Sequence, residues 1–286
     1  MHLTKTQLIA TLASASLVLP ATALAATIIG TNGNDRLRGT NVADTIDGKR
    51  GNDRIVARGG DDRATGGPGN DRIFGGLGND TMTGVAGNDL VAGGPGNDTL
   101  TGDNNDTGDL TSFDRVYGGS GNDTMKGGDS ADRMIAGSGD DNSAGEDGRD
   151  KMSGGTGNDV QNGGDGDDTI FANRGIDTSF GGDGDDVLWA LARADVAPGP
   201  GVDQVGDTLD GGNGNDVFRT RDGEVDRITC GNGNDRAILD QVDVITDATA
   251  QNPKGSCESV KRHAPKASDS RSEDREEAPA VANVTG

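Results

Sequence analysis

Apolar residues return every nine positions along much of this chain. Leu37 is followed by Ile46, Ile55, Ala64, Ile73, Met82, Val91 and Leu100. The residues just before them are Arg36, Thr45, Arg54, Arg63, Arg72, Thr81, Leu90 and Thr99, all polar except Leu90. One apolar residue between outward-facing neighbours is the period-two signature of a half-buried strand. The spacing therefore predicts short three-residue strands, each with its middle residue inward. A second run has Val116, Met134, Met152, Ile170 and Leu188 on one phase and Met125, Ser143, Gln161 and Ser179 on the other. Its three polar entries are eighteen residues apart. They are expected to stack on one poorly packed sheet; the alternative is a register shift that turns Val160 or Phe180 inward.

Between these strands lie glycine-rich segments of six residues. Written in nines, residues 66–101 read GGPGNDRIF, GGLGNDTMT, GVAGNDLVA and GGPGNDTLT. Glycine at the first, second and fourth positions permits backbone dihedrals that other residues reach only with strain. A tight turn with inward carbonyl oxygens is the expected result, and the aspartate at the sixth position adds a carboxylate. A calcium ion takes six to eight oxygen ligands at about 2.3–2.6 Å, more than one such turn supplies and within the means of two stacked turns.

The pattern G-G-x-G-x-D-x-U-x resembles the repeat of the RTX, or haemolysin-type calcium-binding, family. The resemblance implies an all-β fold, a parallel β-roll (a right-handed β-solenoid), with two nonamers in each eighteen-residue turn. It implies several calcium ions held between turns stacked on the same side, for example those of Asp71 and Asp89 or of Asp80 and Asp98. Carried along the chain, it marks as candidate metal ligands Asp35, Asp44, Asp53, Asp62, Asp71, Asp80, Asp89 and Asp98 in the first tract. In the second tract it marks Asp114, Asp123, Asp132, Asp141, Asp150, Asp159, Asp168, Asp177 and Asp186, and after an interruption Asp207, Asp216 and Asp235. Some turns depart from the motif: Ser130 replaces the fourth-position glycine, and Glu146 and Asn173 replace second-position glycines.

Composition alone points to disorder. Of 286 residues 50 are glycine, only 30% are hydrophobic and 2% aromatic, and the formal net charge is −22. Too little apolar surface is available to offset the ordering entropy unless bound metal supplies the difference. On the order of ten divalent ions would neutralise most of the charge. With no basic run in the sequence, nucleic acid is not an expected partner.

Residues 1–25 read as a secretory signal: Lys5, an apolar segment over 8–19, and Ala23-Leu24-Ala25 as the cleavage site. Such a signal differs from the uncleaved C-terminal signal typical of the family and suggests general secretion. No membrane span is expected in the mature chain. The first repeat tract covers 26–103, an insertion 104–113, the second tract 114–188, another insertion 189–205 with the only Trp, and degenerate repeats with a terminal strand 206–262. Residues 263–286 read as a disordered, charged tail. Cys230 and Cys257 are expected to form a disulfide stapling the final rung to the terminal strand; two free thiols or a metal site are the alternatives. The segment Cys257-Glu258-Ser259-Val260 resembles the Cys-Glu-x-Val close of secreted proteins of the same family.

The chain has two histidines, His2 and His263, and lacks an H-E-x-x-H zinc site, a G-x-S-x-G elbow and a P-loop. The expected function is that of a secreted, non-catalytic calcium-binding protein, a structural, adhesive or matrix component, with calcium and extracellular matrix or cell-surface material as partners. The alternative is a calcium-dependent hydrolase, lyase or toxin accessory with its chemistry in the two insertions.

Overall fold

A computed structural model describes residues 24–103, 112–190 and 206–263. The signal segment to residue 23, the insertions at 104–111 and 191–205, and the tail from 264 lie outside the described residues. Every element is a strand, from β1 (Thr27–Ile29) to β24 (Ser259–Arg262). Odd-numbered strands form one twelve-stranded parallel sheet and even-numbered strands a second. The chain thus alternates between sheets, and each strand pairs with the strand two along in sequence. Within the tracts this register is eighteen residues: Leu37 lies beside Ile55, and Ile55 beside Ile73. The architecture is a parallel β-solenoid, the β-roll that the family resemblance implies.

The inward residues of both sheets meet in a thin core. Ile46, Ile55, Ile73, Met82, Leu100, Val116, Met125, Met134, Met152 and Ile170 are essentially inaccessible to solvent. The strands are longer than the three residues expected: β4 (Arg54–Gly59) to β8 (Leu90–Pro95), and β10 (Arg115–Ser120) to β17 (Thr178–Asp183), are six residues each. The cause is the stacking of the turns themselves. Arg58 pairs with Gly76 and Gly119 with Gly137, so the ladder runs past the apolar residue into the glycine segment.

Ser143, Gln161 and Ser179 face inward as one column between Met125 and Leu209, whereas Val160 and Phe180 are on the outer face. No register shift rescues them. The polar column coincides with a break in the core, which divides into one cluster ending at Ile170 and another beginning at Leu188. Ser179 Oγ donates to Gln161 Oε1 at 3.3 Å, but the buried Gln161 Nε2 has no acceptor. A buried donor left unsatisfied costs about 1–3 kcal/mol. Gln161→Leu is expected to raise the thermal midpoint of the calcium-loaded protein by several degrees and to slow amide exchange over 143–179. A lower midpoint, or exchange there already as slow as in the first tract, would contradict this.

Cys230 and Cys257 are disulfide-bonded and buried, with Cα atoms 5.2 Å apart. The bond ties the end of β21 (Arg227–Thr229) in the odd sheet to the segment entering β24 in the even sheet. Loop-closure entropy over its 27-residue separation is worth about 3–4 kcal/mol. Trp189, the residue at which the second insertion is expected to open, is the last residue of β18 (Val187–Trp189), at 5.8 Å from the Phe171 ring.

Candidate metal sites

The repeat aspartates are buried, and they form two columns, one at each edge of the roll. Each column is a hydrogen-bond ladder. The backbone N–H of Asp53 donates to Asp71 Oδ1 at 2.7 Å, that of Asp71 to Asp89 Oδ1, and that of Asp89 to Asp114 Oδ1. The other column runs from Asp44 through Asp62, Asp80 and Asp98 to Asp123. Neither ladder breaks at the insertions, where the partner lies 25 or 30 residues ahead instead of 18. A second pair of ladders runs outside these, in the opposite sense. Asn70 N–H donates to Asn52 Oδ1, and Asn52 N–H to Asn34 Oδ1. This accounts for Asn or Asp at the fifth motif position, a regularity for which the sequence reading had no reason.

One carboxylate oxygen of each aspartate is therefore spent on the fold. The other, Oδ2, is buried without a hydrogen-bond partner in Asp53, Asp62, Asp71, Asp80, Asp89, Asp98, Asp114, Asp123, Asp132, Asp141, Asp150, Asp159, Asp168, Asp186, Asp216 and Asp235. It points at the first residue of its own turn. A methyl group added to Gly48 would lie 2.5 Å from both Asp53 Oδ2 and the carbonyl oxygen of Gly66, on the next stacked turn. The same pairing of Oδ2 with the following turn's carbonyl recurs at Gly84, Gly145, Gly163, Gly181 and Gly211, where the carbonyl belongs to Cys230 in the last case. Glycine at the first position keeps this cradle open, whereas Ala57, Ala136, Ala172 and Cys230 stand there in the turns of Asp62, Asp141, Asp177 and Asp235. The φ there is not in the left-handed region; that demand falls on the second and fourth positions, where Lys49, Arg58, Val85, Ser130, Glu146 and Asn173 adopt positive φ without being glycine.

Buried carboxylates without a counter-charge hold their protons tightly. Burial, followed by the opposing effect of the ladder bond and the charge of stacked neighbours, pushes Asp89 and Asp132 up to about 8. Asp62, Asp98, Asp150 and Asp168 are pushed to about 7 by the same causes or by burial against the ladder bond with fewer neighbours. Rows of acceptor oxygens in a dry cradle fit a hard divalent cation. Among the described residues no three acidic, histidine or cysteine side chains converge on one point. A cation in a cradle would accordingly draw most of its shell from backbone carbonyls and few carboxylates, as the glycine turns provide.

Three features differ from the sequence reading. Asp35 and Asp44, expected as ligands like the rest, use Oδ2 internally: it accepts the N–H of Thr31 and of Thr40 at 2.6 Å, with the threonine hydroxyls also in contact. Second, the ladders continue beyond the expected residues. Asp207 N–H donates to Asp226 Oδ1, Asp226 N–H to Asp243 Oδ1, and Asp235 N–H to Glu258 Oε2. The sequence places a repeat near Asp226 after a one-residue slip without marking it as a ligand, and only the Cys-Glu-x-Val segment hints at Glu258. Third, Asp222, Glu224, Asp226, Asp240 and Asp243 are all buried where the Asp207 column ends. Burial foremost, then the charge of Asp222, raises Asp226 well above the usual carboxylate range.

The repeats match the family model described as the RTX calcium-binding nonapeptide repeat, over residues 29–64, 47–82, 57–91, 83–107, 111–142, 144–179, 180–196 and 206–237. The chain belongs to the RTX calcium-binding repeat family. No curated protein matches it significantly. RTX repeat proteins are generally extracellular or secreted, and the disulfide fits that setting. The RTX β-roll is typically a structural fold. No helix among the described residues is long and apolar enough to cross a membrane.

Proposed function

We propose that this RTX protein is a secreted, non-catalytic scaffold that folds when several calcium ions bind outside the cell, and that it serves as a structural, adhesive or matrix component. The observation that carries this reading is the repeated orphan: a buried Oδ2 facing a carbonyl oxygen, with no donor between them, rung after rung. Bound calcium supplies the positive charge that such a pair lacks. The ligands proposed are the aspartates from Asp53 to Asp235 in both columns, each with carbonyl oxygens of its own and the adjacent turn. Asp35 and Asp44 are better cast as N-terminal caps, since threonine already occupies their second oxygen.

The chain's own residues then have distinct tasks. Oδ1 and the Asn amides fix the rung spacing, the first glycine clears the cradle, and the inward apolar residues seal one side of it. Each cradle needs two stacked turns, so rungs form cooperatively. By comparison with extracellular calcium modules, affinities of about 10⁻⁴–10⁻³ M are expected. In the cytoplasm, where calcium is scarce, the acidic chain stays extended for export. The test is a calcium titration of the metal-free protein followed by far-ultraviolet circular dichroism, with bound calcium counted by equilibrium dialysis. A cooperative gain of strand signal in step with uptake of several ions is expected. Full strand signal in EGTA at neutral pH, or no ion uptake, would refute the reading.

A further inference from the structure

The outer faces of the two sheets differ in chemistry. Read at every second nonamer, the outward column that follows the aspartates in the even sheet is Arg36, Arg54, Arg72, Leu90, Arg115, Arg133 and Lys151. The neighbouring outward column contains Phe74, Tyr117, Phe171 and Trp189. These are four of only seven aromatic residues in the chain. Neither column holds an acidic residue from Arg36 to Trp189. Threonine is instead the commonest residue in the equivalent columns of the odd sheet, as in Thr81, Thr83, Thr99, Thr101 and Thr124.

Rows of like charge repel. Arg36, Arg54, Arg72, Arg115 and Lys151 form no ion pair among the described residues, and none contributes to the shifts of the buried aspartates behind them. Several cations lie instead over rings: Arg54 at 4.9 Å from Phe74, Lys151 at 5.5 Å from Phe171, and Arg219 at 4.7 Å from Trp189. At the N-terminal end a groove of about 580 Å³ is lined by Arg36, Arg54 and Arg72, by Asn34, Asn52 and Asn70 of the asparagine ladder, and by Asp35 and Asp53 of the aspartate column. With strands about 4.8 Å apart, the seven rungs from Arg36 to Lys151 extend over about 29 Å.

We propose that this face binds a linear, carboxylate-bearing polysaccharide laid along the solenoid axis. Guanidinium groups pair with carboxylates through two parallel N–H donors, and a single file of them suits a polymer with one charged edge. The half-exposed Phe74 and Trp189 rings each carry a guanidinium, Arg54 and Arg219, and keep that cation at the outer surface for a carboxylate. The same two rings stand many rungs apart, and Tyr117 and Phe171 are covered, so the face lacks the run of free rings on which single-stranded bases stack. A bilayer would want more protruding apolar surface than the half-exposed Phe74 and Trp189 rings supply.

The test uses the full chain in calcium, its strand signal verified in the assay buffer, with hyaluronan fragments as the probe, a glucuronate polymer that calcium does not gel. Binding is expected to hyaluronan and not to dextran, weakening with added salt. The triple substitution Arg54→Ser, Arg72→Ser and Arg115→Ser is expected to lower affinity about tenfold while leaving the calcium midpoint in place. Arg63→Ser, on the odd sheet, should change nothing. A folded protein that ignores hyaluronan, binds oligothymidylate as well, or is indifferent to the triple substitution overturns the proposal. A roll that keeps its strand signal in EGTA would overturn the calcium reading alone, since the polymer assay needs only a folded face.

Discussion

Stripped of divalent ions, the protein is expected to be unstructured at about pH 8 and to regain strand signal as the pH is lowered to about 5.5. The sign follows from the aspartate columns. Burial raises Asp89 and Asp132 to about 8 and Asp98, Asp150 and Asp168 to about 7, from an ordinary value of 3.8. Between the ordinary and the raised value the folded state binds more protons than the unfolded state, so stability falls as pH rises. The contribution is complete below about pH 4 and lost as pH passes through 7 to 8. A protonated Oδ2 becomes a donor to the carbonyl oxygen across the cradle, which is the electrostatic service expected of calcium. Calcium and protons should therefore compete, and the calcium midpoint should rise as pH falls below about 7. Circular dichroism of metal-free protein across this range, with calcium titrations at three pH values, checks both statements. Strand signal in metal-free solution that grows towards pH 8 would show that the columns are not under charge strain.

Much of this was legible in the sequence because each rung repeats the same local chemistry. The nine-residue return of an apolar residue placed Ile46, Ile55 and Ile73 inward, and the aspartate spacing placed two columns in register. What escaped notice lay at a different scale. The cation column became visible only at a period of eighteen, because successive nonamers go to opposite sheets; read linearly, Arg36, Thr45, Arg54 and Arg63 look like a mixed surface. Strand length escaped because it depends on stacking between turns, as in the Arg58–Gly76 pair, and no single nonamer encodes that. The capped Asp35 and Asp44 escaped because a threonine four residues upstream of an aspartate is an ordinary turn residue until its hydroxyl is seen on Oδ2. Asp243 and Glu258 escaped because the period slips just where the ladders end.

Substitutions at Asp168 separate the two jobs of a repeat aspartate. Its Oδ1 accepts the Asp150 N–H at 2.7 Å, and its own N–H donates to Asp186 Oδ1 at 2.7 Å. Its Oδ2 is buried without a partner, and a methyl group on Gly163 would lie between it and the Gly181 carbonyl oxygen, 2.5 Å from the latter. Asp168→Asn keeps an oxygen for the ladder and turns Oδ2 into an amide nitrogen, a donor facing that carbonyl. It removes the charge and the ligand but leaves the rung satisfied. The variant is expected to bind fewer calcium ions, to resist urea at least as well as the parent in EGTA at about pH 5.5, where the metal-free rungs form, and to show a weaker pH dependence. Asp168→Ala removes both oxygens and leaves the buried Asp150 N–H without an acceptor, at a cost of about 1–3 kcal/mol. It should lose calcium and stability together, in EGTA and in calcium alike. Equilibrium dialysis gives the stoichiometry and urea melts give the stability. If Asp168→Asn bound as many ions as the parent, the cradle would not be where calcium sits. If it were no more stable than Asp168→Ala in EGTA, the ladder through Oδ1 would not be what holds the metal-free rungs in register.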